Sequence, residues 1–200
     1  MEKYDREQLY AHNLITIYTE SSPNPNSMKF MLNFMLISDG VSFDFPDKSS
    51  AENSPLAQEL FDFEYIDRVF LMNNFITLTK KGSQDWYEII PELKAFIKSY
   101  FEQKKPIFNE NQKDTIVEVN ENPDVAKIKD ILEQYIKPAV EMDGGAIKFG
   151  SFEPESGLLK VLLQGSCSGC PSSTLTLKSG IENLMRQMVP SVKIVEAQSL

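Results

Sequence analysis

The sequence predicts an α+β protein, with two small α/β-type sandwich domains joined by a linker. Three observations carry this. Over 200 residues, apolar side chains recur at helical spacing in some segments and fill short strand-length runs in others. The pattern breaks once, from Lys104 to Asn122, where the chain turns polar and charged and reads as a linker. It then restarts in the order α-β-β-α-β. The boundaries are a first domain at 13–103, the linker at 104–122 and a second domain at 123–200. The run "TIVEV" inside the linker is apolar enough to pair as a strand or dock on a neighbour.

In the first domain, "NLITIYTE" supplies the first apolar element, with Leu14, Ile15, Ile17 and Tyr18. The prolines and asparagines of "SSPNPNS" then force a loop. "MKFMLNFMLI" is a strand candidate, although its apolar residues are too continuous for clean alternation. Irregular chain follows, with a short strand at Val41 to Phe45. "SPLAQELF" reads as a short helix capped by Ser54, with Pro55 at its first position. "IDRVFLMNNFITLTKK" is a hairpin turned at Asn73 and Asn74, because asparagine tolerates positive φ. "DWYEIIPELKAFIKSYFEQ" closes the domain as an amphipathic helix. Trp86, Ile89, Ile90, Leu93, Phe96, Ile97 and Tyr100 hold the helical period, and Pro91 either kinks the helix or starts it.

The second domain opens on "NPDVAKIKDILEQYIKPAVEMDGG". Val125, Ile128, Ile131, Leu132, Tyr135, Ile136 and Ala139 make one stripe. Asn122 or Asp124 caps it, and Gly144 and Gly145 end it. "AIKFGSFE" and "GLLKVLLQG" are strands joined by the turn "PESG". "STLTLKSGIENLMRQM" is a helix with Leu177, Ile181, Leu184, Met185 and Met188 inward; Pro190 ends it and "SVKIVEA" is a last strand.

Composition excludes several functions. Hydrophobic residues at 42% and charged residues at 24% suit a soluble globular chain. The net charge is −9 and the lysines are spread among carboxylates, so a basic nucleic-acid face is not expected. No apolar run reaches the length of a membrane span, so no membrane partner is expected. The start "MEKYDREQLYAHNL" lacks a signal peptide's apolar segment and a transit peptide's Arg-rich, acid-poor character, so the expected compartment is the cytoplasm. With 2 cysteines, a disulfide-stapled scaffold is not expected either.

Those cysteines, Cys167 and Cys170, lie in "GSCSGCPSS", between a strand and a helix. Pro171 suits a first helical turn, which places both sulfurs near the positive end of a helix dipole, where thiolate is favoured over thiol. Thiolate both binds soft metals and attacks disulfides. Gly165 and Gly169 let the backbone bend. A tetrahedral zinc or an iron–sulfur cluster usually takes four protein ligands, and the single histidine, His12, is far away in sequence. One chain therefore cannot complete a four-thiol site, whereas two chains, loop to loop, can. On residues alone the pair stays open among metal binding, thiol–disulfide chemistry and a structural role. A thioredoxin-like arrangement would place the pair after the first strand of a βαβ unit, which this order does not do.

The stretches Met142–Asp143–Gly144–Gly145, Leu163 to Ser173 and Thr174 to Glu182 closely resemble the C-terminal domain of the NifU and Nfu iron–sulfur proteins. "TESSPNPNSMKFMLN" is similar to the Nfu N-terminal domain. The resemblance implies a carrier or scaffold, not an enzyme, with no catalytic residue. Cys167 and Cys170 would be its ligands, each of two subunits giving two, to a [4Fe–4S] cluster that bridges a homodimer; a [2Fe–2S] cluster suits the same count. It implies apo iron–sulfur proteins as clients, an upstream cluster assembly system as source, and client recognition by the N-terminal domain. The alternatives are a CxxC thiol–disulfide oxidoreductase and a zinc-binding interaction module.

Overall fold

The computed structural model describes residues 15–109, 122–168 and 171–199, and the chain divides into two compact units, Met1–Lys113 and Asp114–Leu200. Both are α+β. His12, Leu14 and the run "TIVEV" lie outside the described residues.

The first unit is built on an antiparallel five-stranded sheet of order β1-β2-β5-β4-β3. Its strands are β1 (Ile17–Ser21), β2 (Ser27–Leu32), β3 (Ser42–Phe45), β4 (Ile66–Met72) and β5 (Phe75–Lys80). Helices α1 (Pro55–Leu60) and α2 (Trp86–Glu102) complete it. Phe30, Leu32, Val69, Leu71, Ile76 and Leu78 of the sheet share one buried core with Leu56, Leu60, Leu93 and Ile97 of the helices. The β4–β5 turn is the predicted two-residue one. Asn73 alone takes a positive φ, 46°, and Met72 pairs with Phe75.

Three details depart from the sequence reading or resolve it. The strand expected over "MKFMLNFMLI" stops at Leu32. Beyond it the N–H groups of Leu36 and Ile37 donate to the Asn73 carbonyl at 2.6 and 2.9 Å, so that turn replaces the ladder while both side chains stay buried. Helix α2 starts at Trp86, capped by Asp85, and runs through Pro91. The proline removes one bond to the Tyr87 carbonyl, in an exposed first turn where water can replace it. Lys104 to Asn109, read as linker, pack on this unit. Ile107 is buried, its carbonyl accepts from Ser54 Oγ at 2.8 Å, and the Asn109 N–H donates to the Asn53 carbonyl at 2.9 Å.

The second unit has a three-stranded sheet of order β6-β7-β8: β6 (Gly145–Glu153), β7 (Leu158–Gly165) and β8 (Ile194–Ser199). β6 and β7 are antiparallel; β8 runs parallel to β7 after the crossover helix α5 (Pro171–Met188). One helical rod precedes the sheet: α3 (Pro123–Ile131), a π-helical turn (Leu132–Ile136) and α4 (Lys137–Met142). Asn122 caps it, its side chain accepting the Asp124 N–H at 3.0 Å. Ile128, Ile131, Leu132 and Val140 of the rod meet Ile147, Leu159, Val161 and Leu163 of the sheet and Ile181 and Met185 of α5.

The π-turn explains a misplaced part of the predicted stripe. Pro138 has no N–H for the Gln134 carbonyl, and the Lys137 N–H reaches back to Leu132. The extra residue shifts the inward face by one. Val140 is buried in place of Ala139, and Tyr135 is 56% exposed. At the β8 edge of the sheet, α5 fastens the start of that strand. Glu182 Oε2 accepts the Val195 N–H at 3.1 Å, and Arg186 donates to the Lys193 carbonyl at 2.9 and 2.5 Å. Among the described residues no helix is long and apolar enough to cross a membrane.

Candidate functional site

The β6–β7 ladder ends with Gly145 opposite Gly165, and the cysteine loop leaves from that end. Gly165 turns the chain with φ 64°, a conformation that suits glycine. The Ser168 N–H then closes a turn onto the Gly165 carbonyl at 3.1 Å. Ser166 ties the loop to the end of α4. Its N–H donates to the Gly144 carbonyl at 3.3 Å, and its Oγ donates to the Asp143 carbonyl at 2.5 Å.

Cys167 is only 4% exposed and packs within the core of the second unit. The described thiol faces inward. Cys170 and Gly169 lie outside the described residues, so the pair is described at one sulfur. Ser168 is 7% exposed and its Oγ is buried with no hydrogen-bond partner among the described residues. Such a group costs roughly 1–3 kcal/mol.

Two contributors were missed or misread in the sequence. Gly145 is not part of a helix stop. Gly144, with φ 84°, ends the rod, and Gly145 is the first residue of β6. A Cβ at Gly145 would stand 2.6 Å from the Gln164 carbonyl oxygen and 3.0 Å from Cys167 Sγ. The second glycine of "DGG" is thus the floor beneath the thiol. The signal was there, since one glycine suffices to stop a helix and the second needed another reason. Ser166 was read only as a loop residue, and nothing in its spacing announced the bond to Asp143. Asp143 serves through its backbone carbonyl at this contact.

Among the described residues no three His, Cys, Asp or Glu side chains stand together as a metal site. The donor set near the loop is thiol and hydroxyl, which fits a soft, thiolate-bound metal centre better than a carboxylate site. The arrangement defines a class: a small α+β domain that holds a Cys-x-x-Cys pair between strand and helix, in one chain with a second α+β unit. Residues 17–104 match the family model for the scaffold protein Nfu/NifU N-terminal domain, and residues 128–196 match that for the NifU-like domain. The chain belongs to the Nfu/NifU-like family.

NifU-like protein 4, mitochondrial, of Arabidopsis thaliana is 42% identical over 186 residues, 91% of this chain and 65% of the relative. The NFU1 iron-sulfur cluster scaffold homolog, mitochondrial, of Drosophila sechellia is 40% identical over 182 residues, 90% of this chain and 64% of the relative. The chain thus spans about two thirds of the length of these relatives. A NifU-like protein from Saccharomyces cerevisiae, solved by NMR in solution, aligns over 56% of this chain and 92% of its own with 20% identity and a TM-score of 0.41. The expected cytoplasmic location is corrected by these relatives, whose names place them in mitochondria. The absence of leader features in the first residues carries no information on compartment when the chain matches only part of longer proteins.

Proposed function

We propose that the chain is an iron–sulfur cluster carrier, a binding and transfer protein rather than an enzyme. In this reading Cys167 and Cys170 from each of two copies hold a [4Fe–4S] cluster and pass it to apoproteins. The observation that carries the reading is the ligand count: 2 cysteines in the whole chain, both in one loop. The names of the relatives support the scaffold role.

The burial of Cys167 gives the loop a specific task. The thiol must turn outward before it can bind cargo. Opening the loop gives up the packing of Cys167 and the bond from Ser166 to Asp143. It also releases the Ser168 hydroxyl to water, which offsets part of that loss. Transfer then proceeds by exchange. A client thiolate takes an iron position as Cys167 or Cys170 leaves it, so one iron–sulfur bond forms as one breaks and no electron changes hands. The first unit binds the client, and residues beyond Asn109 join the two units.

The test is anaerobic reconstitution with iron and sulfide, measuring iron, acid-labile sulfide and mass together. About four irons and four sulfides per two chains, in a dimer that separates on chelation, is the expected result. Cys167→Ala assembling cluster at the unsubstituted yield sinks the ligand assignment. No bound iron, with Cys167 and Cys170 joined as an internal disulfide, moves the function to thiol–disulfide chemistry. Stoichiometric zinc that iron and sulfide cannot displace moves it to a zinc module.

A further inference from the structure

The π-turn at Leu132–Ile136 rotates apolar side chains out of the core. Tyr135 is 56% exposed and Met142 76% exposed, and Pro138 and Ala139 between them are exposed as well. Spacings of three, four and seven residues put the four on one face of the rod. The stripe holds no charged side chain. The charges beside it, Glu133, Lys137 and Glu141, pair with one another: Lys137 bonds Glu133 and lies 4.0 Å from Glu141. One end of the stripe meets the cysteine loop. Met142 precedes Asp143, whose carbonyl holds Ser166, and Ser166 precedes Cys167.

We infer that this stripe is where a second copy of the chain docks, side by side and parallel, about a twofold axis running along the rod. The inference rests on the carrier reading, which requires a second copy at the cysteine loop. Three features choose that occupant and that orientation. A parallel pair brings both loops to the same end of the rods, whereas an antiparallel pair carries them to opposite ends. Two chains of charge −9 repel, and contact is cheapest where a surface is uncharged and its neighbours are already paired. The area is small. Tyr135 and Met142 offer on the order of 300 Å² per copy, well under the roughly 800 Å² a side of a stable complex. Such a contact is too weak to hold a permanent dimer, and it suffices once a shared cargo links the loops. The stripe therefore makes the dimer conditional on the load.

The test uses the full chain with charge reversal at the symmetric position. Across a parallel twofold, Tyr135 of one copy faces Tyr135 of the other. Tyr135→Glu and Tyr135→Lys should each raise the dissociation concentration of the iron-loaded dimer at least roughly tenfold in sedimentation velocity. An equal mixture of the two should recover it. Met142→Glu should act like Tyr135→Glu. Unchanged dissociation in the variants, or a mixture no better than its components, overturns the inference while the carrier reading stands. So does unchanged dissociation combined with slower transfer to an apo ferredoxin acceptor, which would give the stripe to the client. If the unsubstituted chain takes up no iron, the carrier reading fails and the apo protein at high concentration decides the stripe. Weak self-association lost in Tyr135→Glu supports it, and its absence overturns it.

Discussion

Gly145→Ala puts a methyl group where β6, β7 and the Cys167 thiol already meet. The added carbon would lie 2.6 Å from the Gln164 carbonyl oxygen, 3.0 Å from Cys167 Sγ and 3.3 Å from Cys167 Cβ. The Sγ contact can yield by rotation about the Cα–Cβ bond, whereas the Cβ contact moves only with the backbone. The carbonyl contact cannot yield, because Gln164 is paired in the ladder with Ala146. The φ of Gly145 lies outside the left-handed region, so the backbone itself accepts alanine. Alanine lowers the entropy of the unfolded chain, a gain of about 0.4–1 kcal/mol. Overpacking costs about 1–3 kcal/mol, so the net runs from near zero to a loss of about 2.6 kcal/mol. For a domain of this size that lowers the melting temperature of the second unit by up to about 20 °C. Gly180→Ala is the control. Gly180 lies within α5 with nothing within 4 Å of an added Cβ, and alanine there should add about 0.5–1 kcal/mol. Calorimetry of the full chain reads both variants, with alkylation of Cys167 reporting which transition is the second unit. If Gly145→Ala proves as stable as Gly180→Ala, Gly145 is not the floor of the thiol.

Further predictions concern the first unit. Ser54→Ala removes both the cap of α1 and the bond to the Ile107 carbonyl from a fully buried site, at about 1–3 kcal/mol in urea unfolding. A loss under about 0.5 kcal/mol would show that Lys104–Asn109 do not depend on this anchor. Arg68→Ala leaves the buried Asp44 carboxylate, 2.6 Å from the guanidinium in the folded chain, without that partner, and should cost about 3–5 kcal/mol. Replacing both residues together with apolar ones should cost less, and an equal loss would contradict the reasoning. Burial first, and then Glu59, pushes the Tyr100 hydroxyl above its ordinary value of 10.0. Burial and then the bond to Glu92 do the same for Tyr65. Both groups hold their protons longer folded than unfolded. Stability of the first unit is therefore intact below pH 10.0 and falls as pH rises through the folded values. Tyr100→Phe should flatten that alkaline decline in a pH series of urea midpoints, and an unchanged slope would remove Tyr100 from the account.

Much of the architecture was legible because local rules and packing agree. The Asn73–Asn74 turn, the Ser54 cap and the order of the second unit all follow from residue chemistry that tertiary contacts reinforce. The failures occurred where a distant contact outweighs the local pattern. "MKFMLNFMLI" is apolar throughout, yet its second half takes its hydrogen bonds from a turn more than thirty residues away in sequence. The rod reads as one helical period until Pro138 inserts an extra residue, and a periodic template has no term for a π-turn. At the site, the cysteine spacing and flanking glycines were visible, but the burial of Cys167 and the role of Gly145 depend on β6 meeting β7, which no local pattern encodes.

The fastening of β8 by α5 bears on which other chains the sheet can admit. The outermost strand of a sheet is a template for any other strand that drifts past. Here the backbone donor of Val195 and the acceptor of Lys193 are already occupied by Glu182 and Arg186, which are themselves paired at 2.7 Å. A newcomer would have to dislodge a charged pair before it could add itself to the sheet. At the start of this margin the molecule therefore leaves little for another chain to hold.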